Sequence, residues 1–315
     1  MRVLIIHSRY WSGAAFGENR VVDDEARLLA SAGHDVHLWD PRWRQPTRSA
    51  SPGRCQNHLV APSRGKGRQT HSRHQPEVVH CHNMFPALSP SVLRTAVAEG
   101  AAVVATLHNH RMLCLPSTLL KDGRLCEDCL GKTWRGVLHH CYQQSLPASG
   151  ALAVSLTLHH ALGTFTNKIL YLAVSDSRCG PSTSKRGGTE RAIRVKPNFA
   201  WPVRRREGAG EYFLYVGRLS PEKGVASLLT AWRALNEPLL VVGDGPEAAR
   251  LRAMAPPGVD FLGQVEPSEV PALLARARGL LMPSICYEGE PRATWKLTPR
   301  GCRWWRAGSA AFPTS

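Results

Sequence analysis

A glycine and two basic side chains follow an apolar run in the segment YVGRLSPEKG, residues 215–224. Gly217 lets another group approach the backbone closely, Arg218 offers a planar fork of donors, and Lys223 offers a mobile point charge. These residue types suit a diphosphate, because two fixed cations can neutralise its charge without a metal. A solvated turn with a surface lysine has the same composition, so the segment alone leaves both interpretations open.

Two further turns end apolar runs and carry residues able to bind a hydroxyl-rich ligand. The turn GDGPE (243–247), with Gly245, leads into a helical pattern and is placed to face a nucleotide base or ribose. The turn YEGEP (287–291) presents Glu288, whose carboxylate can accept hydrogen bonds from sugar or ribose hydroxyls. Each signal is weak alone, since a lone glutamate at a strand end is more often merely solvated.

Four cysteines have the spacing C-x11-C-x2-C-x11-C. Four thiolates supply a closed tetrahedral shell for Zn²⁺, and in a protein that is expected to be cytoplasmic this pattern is typical of such a site. Free thiols and redox-active pairs are the alternatives. A four-thiolate site has no open position for a substrate, so zinc here is predicted to be structural and to fix the irregular loop 114–141. The four residues are Cys114, Cys126, Cys129 and Cys141.

Short apolar runs bounded by Gly, Pro, Ser or His predict the buried strands that position these residues. They cover residues 3–6, 77–80, 102–107, 170–175, 212–217, 239–243, 259–263 and 280–284. Apolar residues at helical spacing predict helices at 21–33, 225–235 and 269–279. Such alternation is typical of parallel sheets with helices on both faces, so the predicted fold class is α/β with doubly wound sheets.

The chain is long enough for two domains. The first series of strands and helices ends near residue 200, and RRREGAGE then has the composition of a polar hinge before the second series starts at Tyr212. We therefore predict an N-terminal domain over 1–200 and a second domain over 208–292, facing each other across a cleft.

Three segments interrupt this alternation, and two of them hold most of the charge. Thirteen of the sixteen net positive charges lie in 41–75 and 292–315, which contain no acidic residue. Because neither segment interleaves aromatic residues with its basic ones, no nucleic-acid partner is predicted. Reading-frame shifts in GC-rich coding DNA would produce such Arg-, Pro-, Gly- and Ser-rich peptide, and basic insertions are the competing hypothesis. The segments affected by the shifts would be 41–75, 176–190 and the tail 293–315.

Taken in order, GRLSPEKG, GDGPE, VDFLG and PSICYEGEPR closely resemble the donor-binding domain of the family 4 glycosyltransferases, retaining enzymes with the GT-B fold. The resemblance covers residues 212–292. It implies that Arg218 and Lys223 bind the pyrophosphate of the donor and that Glu288 contacts the transferred sugar. The family pairs this glutamate with a second one eight positions later, where this chain has Lys296. The pattern therefore breaks at that position.

The N-terminal half also resembles this family. The loop SGAAFGEN (12–19) is similar to a glycine-rich loop near donor and acceptor, with Gly17 and Glu18 as the best-placed matches. In ATLHNHRMLC (105–114), His108 aligns with a histidine that usually lies at the reaction centre. The resemblance therefore implies that His108 and Glu288 are catalytic.

The activity that the resemblance implies is transfer of a sugar from a nucleotide-diphosphate sugar to a hydroxyl acceptor, with retention and without a cofactor. Many relatives build cell-surface polysaccharides on lipid-linked acceptors, which implies peripheral contact with the inner face of the membrane. The N-terminus MRVLIIHSRYW has the pattern of a first strand rather than a signal peptide, and no apolar run is long enough to span a bilayer. We therefore expect a cytoplasmic protein.

The sequence leaves two alternatives open. A sugar-nucleotide epimerase has the same architecture and would form product from the donor alone. A C-terminally truncated, inactive remnant is the other, because a complete donor domain of this family continues for several more strands and helices, whereas 23 residues follow Arg292.

Overall fold

The computed structural model describes residues 1–10, 17–43, 75–85, 87–174, 193–198, 210–287 and 303–306. Contacts divide the chain into two compact units. The first unit comprises Met1–Ser117 and Glu127–Pro197, and the second comprises Thr118–Cys126 and Asn198–Ser315. Most of the segments 41–75 and 293–315, and all of 176–190, lie outside the described residues.

A six-stranded parallel sheet forms the centre of the first unit, in the order β10-β9-β6-β5-β1-β3. Its strands are β1 (Arg2–His7), β3 (Asp35–Trp39), β5 (Val78–Asn83), β6 (Ala102–Leu107), β9 (Tyr171–Val174) and β10 (Ile193–Val195). The short strands β2 (Arg9–Tyr10) and β4 (Arg42–Trp43) pair separately. Chain order reverses between β1 and β5, and such a reversal is where open α/β sheets bind ligands.

Both faces of this sheet are covered, which explains why its central strands are continuously apolar. Val3 and Ile5 point to one face of β1, where they pack with Val22 of helix α1 (Gly17–Ser31). Leu4 and Ile6 point to the other face and join the main core. The helices of this unit are α1 (Gly17–Ser31), α2 (Ser91–Ala98), α3 (Trp134–Leu138), α4 (Leu146–Ala161) and α5 (Thr164–Asn167).

The second unit has a five-stranded parallel sheet in the order β13-β12-β11-β14-β15. Its strands are β11 (Tyr212–Val216), β12 (Leu239–Val242), β13 (Val259–Gly263), β14 (Ala277–Met282) and β15 (Arg303–Arg306), and its helices are α6 (Val225–Trp232), α7 (Ala248–Met254) and α8 (Val270–Arg276). A small hairpin, β7 (Leu120–Lys121) with β8 (Arg124–Leu125), is also assigned to it. Here the chain order reverses between β11 and β14.

The structure confirms the predicted α/β class with parallel sheets, and each of the eight predicted strands is present. The predicted helix 269–279 is too long, because α8 ends at Arg276 and β14 begins at Ala277, whose side chain is buried. The edge strand β15 lies in the tail 293–315, where no strand was predicted. Among the described residues, no helix has the length and apolar character needed to cross a bilayer.

Candidate functional site

Histidines gather at the carboxyl edge of the first sheet. His7 ends β1, His82 is the penultimate residue of β5, and His108 directly follows β6. Because parallel strands end at the same edge, these side chains come together at the reversal of chain order. The ring of His82 lies against that of His108, with centroids 5.2 Å apart and planes 15° apart.

Hydrogen bonds fix each of these rings. His82 Nδ1 lies 2.9 Å from His108 Nε2, and His7 Nε2 lies 2.7 Å from Asn19 Oδ1. Within β5, His80 and His82 alternate with Cys81 and therefore project to one face of the sheet. His80 Nε2 lies 2.8 Å from the hydroxyl oxygen of Thr106 on the neighbouring strand β6.

Helix α1 brings a buried carboxylate against this row of imidazoles. Glu25 Oε1 lies 3.4 Å from His80 Nδ1, and Glu25 Oε2 lies 3.7 Å from His82 Nε2. The ammonium group of Lys196 is 3.0 Å from the same Oε2. Burying a carboxylate without a partner would cost several kcal/mol, so Lys196 supplies the charge that makes this position tenable.

The imidazoles are held neutral. Burial lowers the pKa of His7, His80 and His82, against the opposing effects of the Asn19 hydrogen bond on His7 and of Glu25 on His80. The Lys196 cation also lowers the pKa of His80 and His82. Burial, together with His7, Lys196 and His80, lowers the pKa of His108 to about 3. At neutral pH each ring therefore has one nitrogen that donates and one that accepts.

Glu18, in the first turn of α1, lies at the same edge. Asn83 Nδ2 donates to its Oε1 over 3.4 Å. Burial raises the pKa of the Glu18 carboxyl to about 7, against the opposing effects of Asn83, Arg111 and Asn109. The carboxyl can therefore exchange a proton near neutral pH. Gly17 begins α1 and is exposed, and the loop residues 11–16 before it lie outside the described part of the chain.

A pocket opens beside His82 and His108. Its empty volume is about 440 Å³, including the open mouth. The polar side chains on its wall include Asn83, Asn109 and Arg111. The Arg111 guanidinium donates to the carbonyl of Leu115 and lies 5.0 Å from the centre of the Tyr142 ring. The pocket thus combines neutral imidazoles, amides and one buried cation.

Glycines close the loops at the carboxyl edge of the second sheet. A Cβ on Gly243 would collide with the carbonyl oxygen of Gly217, and a Cβ on Gly245 would collide with that of Leu219. Gly224 has φ +66°, and a Cβ there would collide with the carbonyl oxygen of Pro283. The loops after β11, β12 and β14 therefore meet backbone to backbone, which only glycine permits at these positions.

Backbone hydrogen bonds complete this glycine-closed edge. The amide of Gly217 donates to Val242 O over 3.0 Å, and the amide of Leu219 donates to Asp244 O over 2.9 Å. From the loop after β14, the amide of Ile285 donates to Glu222 O over 3.0 Å. The segment that was predicted to bind phosphates is therefore a fixed turn.

Arg218 and Lys223 flank this turn. Arg218 is exposed, and its carbonyl accepts a hydrogen bond from the Tyr215 hydroxyl over 2.8 Å. Lys223 ends the 3₁₀ turn Pro221–Lys223 and is half-buried, and Gly224 then leads into the N-terminus of α6. Both cations are thus displayed at the edge where backbone amides of a helix N-terminus favour an anion.

The structure places the predicted site residues in two groups. Glu18 and His108 share the edge of the first sheet, and Gly17 begins the helix that carries Glu18. Gly217, Arg218, Lys223 and Gly245 share the edge of the second sheet. Glu288 directly follows Tyr287, the last residue described before a gap, so its predicted role stays a prediction.

The four cysteines are divided between the units. Cys114, Cys129 and Cys141 belong to the first unit and Cys126 to the second. The sulfur atoms of the three in the first unit do not all lie within 4.8 Å of one another. Among the described residues, only Glu25, His80 and His82 bring three possible metal-ligand atoms that close together. The prediction of zinc at the four cysteines therefore rests on their spacing in the sequence alone.

The cluster of Glu25, His80 and His82 was not predicted from the sequence. The Lys196 ammonium bonded to Glu25 already provides a cation there. The one sequence signal for it is the H-x-H pattern of β5, which puts two imidazoles on one face of a buried strand. Nothing local connects that strand to Glu25, which lies 55 positions before His80.

Two family models match the chain, one in each half. The model described as Glycosyltransferase Family 4 matches residues 17–141. These include His82 and His108, though not His7, of the histidine-rich carboxyl edge of the first sheet. The model described as Glycosyl transferases group 1 matches residues 202–294, which include the glycine-closed edge. No curated protein sequence matches the chain.

Solved structures share the fold at low sequence identity. The HepE protein of Anabaena, in complex with UDP and glucose, is 14% identical with a TM-score of 0.55, over 92% of this chain and 76% of that one. Sucrose-phosphate synthase from Thermosynechococcus elongatus is 16% identical with a TM-score of 0.58, over 91% of this chain and 76% of that one.

The lipopolysaccharide outer core galactosyltransferase WaaB, in its apo form, is 14% identical with a TM-score of 0.52, over 90% of this chain and 74% of that one. At these identities the likeness concerns the fold. Family models in both halves and this shared architecture agree with the two parallel sheets described above. The chain belongs to the family 4 glycosyltransferases, also described as glycosyl transferases group 1, and has their GT-B fold.

Proposed function

We propose that this chain transfers a sugar from a nucleotide-diphosphate sugar to a hydroxyl acceptor, with retention at the anomeric carbon. The glycine-closed edge of the second sheet carries the proposal, because it displays Arg218 and Lys223 on a fixed turn before a helix N-terminus. Such a site acts by holding the substrates together and stabilising the leaving diphosphate. It requires no cofactor and no catalytic metal.

In this proposal the second unit binds the donor. Arg218 and Lys223 neutralise the pyrophosphate, while Gly217 and Gly245 let it approach the backbone. Glu288 accepts hydrogen bonds from the hydroxyls of the transferred sugar. The loops are fixed before the donor arrives, so little ordering accompanies binding.

The first unit provides the reaction centre in this proposal. His108 is neutral at physiological pH, so one of its ring nitrogens is available to accept a hydrogen bond from a hydroxyl. We assign Gly17 and Glu18 to the same centre, and Glu18 is able to exchange a proton near pH 7.

A UDP-sugar is the first donor to test, since HepE has been crystallised with UDP and with UDP-glucose. For the acceptor we propose a lipid-linked glycan of cell-surface polysaccharide synthesis. The WaaB structure, a lipopolysaccharide galactosyltransferase of the same fold, supports this class of acceptor. The enzyme would then work in the cytoplasm, in peripheral contact with the inner face of the membrane.

Calorimetric titration with UDP, GDP and ADP, followed by transfer assays with the matching sugar donors, tests the proposal. We expect one nucleotide to bind selectively and Arg218→Ala or Lys223→Ala to weaken its binding by about 10- to 100-fold. Arg233→Ala is the matched control, because Arg233 is exposed in the same unit at the far end of α6.

Other results would contradict the proposal. Absence of tight binding to any of the three nucleotides would identify an inactive remnant. Product formed from the donor without an acceptor would identify an epimerase.

We further propose that Cys114, Cys126, Cys129 and Cys141 bind a structural zinc ion. Their spacing in the sequence supports it. Metal analysis of the purified chain should give one zinc per molecule, and its loss in Cys129→Ser would assign it. A metal-free chain with a native melting profile would refute the proposal.

A further inference from the structure

The hydrogen bond between His82 and His108 requires a choice of tautomer. His82 Nδ1 and His108 Nε2 are 2.9 Å apart, so one proton lies between two ring nitrogens. Both rings are neutral, and each therefore has one N–H and one lone pair. Whichever ring donates fixes the protonation of both remaining nitrogens. The tautomer of His108 thus depends on what the far nitrogen of His82 faces.

Glu25 is the group that the far nitrogen of His82 faces. His82 Nε2 is fully buried and has no hydrogen-bond partner among the described residues. The Glu25 Oε2 atom lies 3.7 Å from it. A carboxylate only accepts hydrogen bonds, so a lone pair on His82 Nε2 would face another lone pair in a region of low dielectric. An N–H at this nitrogen turns that repulsion into attraction.

Lys196 and His80 both lie against the Glu25 carboxylate. Lys196 Nζ is 3.0 Å from Oε2. The other oxygen, Oε1, is 3.4 Å from His80 Nδ1, whose opposite nitrogen is 2.8 Å from the Thr106 hydroxyl. That hydroxyl can donate to His80 Nε2, which lets His80 also direct an N–H at the carboxylate. One carboxylate is therefore placed to orient two imidazoles.

We propose that Glu25 is a positioning residue that, through His82, fixes His108 as the tautomer protonated at Nε2. His82 then carries its proton on Nε2 and accepts at Nδ1 the hydrogen bond that His108 Nε2–H donates. The remaining nitrogen of His108, Nδ1, keeps its lone pair and is available to accept a hydrogen bond from a substrate hydroxyl. This last step rests on the proposed function, whereas the tautomer assignment does not.

Long-range ¹H–¹⁵N spectra of the full chain labelled with ¹⁵N-histidine test the tautomer directly, since protonated and unprotonated ring nitrogens resonate far apart. In the wild type we expect His108 to be protonated at Nε2 and His82 at Nε2. In Glu25→Gln the amide can donate to His82 Nε2, so the preference is lost and the His108 resonances shift toward the Nδ1–H form. Glu25→Asp, which keeps the carboxylate, should restore the wild-type pattern at least in part.

A matched variant separates this effect from loss of a buried charge. Asp24→Asn removes a buried carboxylate from the neighbouring position of the same helix, where it pairs with Arg20 at 3.4 Å. It should leave the His108 spectrum unchanged. In transfer assays Glu25→Gln should lower kcat by about 10- to 100-fold with an unchanged KM for the donor, since it alters the acceptor geometry and not the phosphate site.

The outcomes separate the two proposals. A wild-type His108 protonated at Nδ1, or a Glu25→Gln spectrum identical to that of the wild type, would overturn the inference. If the spectra are as expected but the wild type transfers no sugar, the proposed function fails and the tautomer assignment stands. Thermal melting of each variant identifies any that does not fold. If Glu25→Gln does not fold, the His108 spectrum of Glu25→Asp is compared with that of the wild type instead.

Discussion

Glu18 illustrates how strongly the edge of the first sheet changes the chemistry of one side chain. A carboxyl of ordinary pKa would be ionised throughout the physiological range, whereas burial raises the pKa of Glu18 to about 7. Amide donors and the nearby Arg111 cation oppose the effect without cancelling it. The helix dipole normally stabilises a negative charge in the first turn of a helix. The raised pKa of Glu18 therefore means that burial outweighs the helix dipole here.

We expect Glu18→Gln to change how stability depends on pH. The folded chain retains the Glu18 proton up to about pH 7, whereas the unfolded chain releases it near its ordinary pKa of 4.5. The contribution of the protonated Glu18 carboxyl to the free energy of unfolding is therefore complete below pH 4.5 and is lost as the pH rises through 7. Removing the charge should stabilise the chain at pH 8 by up to about 3 kcal/mol and have little effect at pH 4.

Urea denaturation at pH 4 and pH 8 measures this difference. Glu77→Gln is the control, because the exposed carboxyl of Glu77 has its pKa lowered by the backbone amide of Arg2 and gains nothing from neutralisation. An equal effect of Glu18→Gln at both pH values would show that Glu18 does not titrate between them.

The sequence of helix α4 determines where the helix begins and which of its leucines are buried. It begins after Ser145, whose hydroxyl accepts from the amide of Ala148, and Pro147 lies in its first turn. Leu152 and Leu156 are buried in the main core, whereas Leu158 is 51% exposed. Apolar residues therefore occur on both its buried and its exposed faces.

This helix yields a prediction with an internal control. Leu156→Ala should destabilise the chain by about 2–5 kcal/mol, because the side chain is fully buried and its removal leaves a cavity. Leu158→Ala, two positions later, should change stability by less than about 0.5 kcal/mol. Denaturant midpoints of the two variants give the comparison, and similar losses for both would mean that the exposed face of α4 is covered in solution.

Elements with a clear local pattern could be predicted from the sequence, and others could not. Buried strands such as β1 and β12 are continuous apolar runs, which makes them recognisable without tertiary information. Helix α4 was not predicted, because apolar residues on several faces remove the helical period. Strand β3 was not predicted either, since its residues are largely half-exposed at the edge of the sheet.

In the candidate site too, a local sequence pattern reveals some features and not others. Arg218 and Lys223 lie in one contiguous motif, so their setting follows from the neighbouring residues. The contact between Glu25 and His82 joins a helix to a distant strand, and no local pattern reports such a pairing. Glu18 was identified through the family resemblance, but its raised pKa depends on burial that only the folded chain creates.

On the scale of the whole molecule, each unit has a sheet and a hydrophobic core of its own. The core of the first unit includes Leu93 and Leu156, and that of the second includes Leu229 and Leu251. Because we propose that the second unit binds the donor, the effects of a bound nucleotide should differ between the two units.

Hydrogen exchange of the full chain, with and without saturating UDP, tests this assignment. We expect the largest gain in protection at residues 217–224 and 243–247, because their backbone amides and cations would enclose the diphosphate. Strand β1 and the segment after β6 should change much less. Protection confined to the first unit would place the nucleotide at the histidine-rich edge instead.

The glycine contacts at the edge of the second sheet also limit how this protein can evolve. At Gly224, Gly243 and Gly245 any side chain would meet a backbone carbonyl, which cannot move away as a flexible side chain would. Saturation mutagenesis scored by folding should therefore return glycine almost alone at these positions, while Arg218, which is exposed, tolerates replacement. Natural variation can therefore change the charge at position 218 while the backbone around it stays constant.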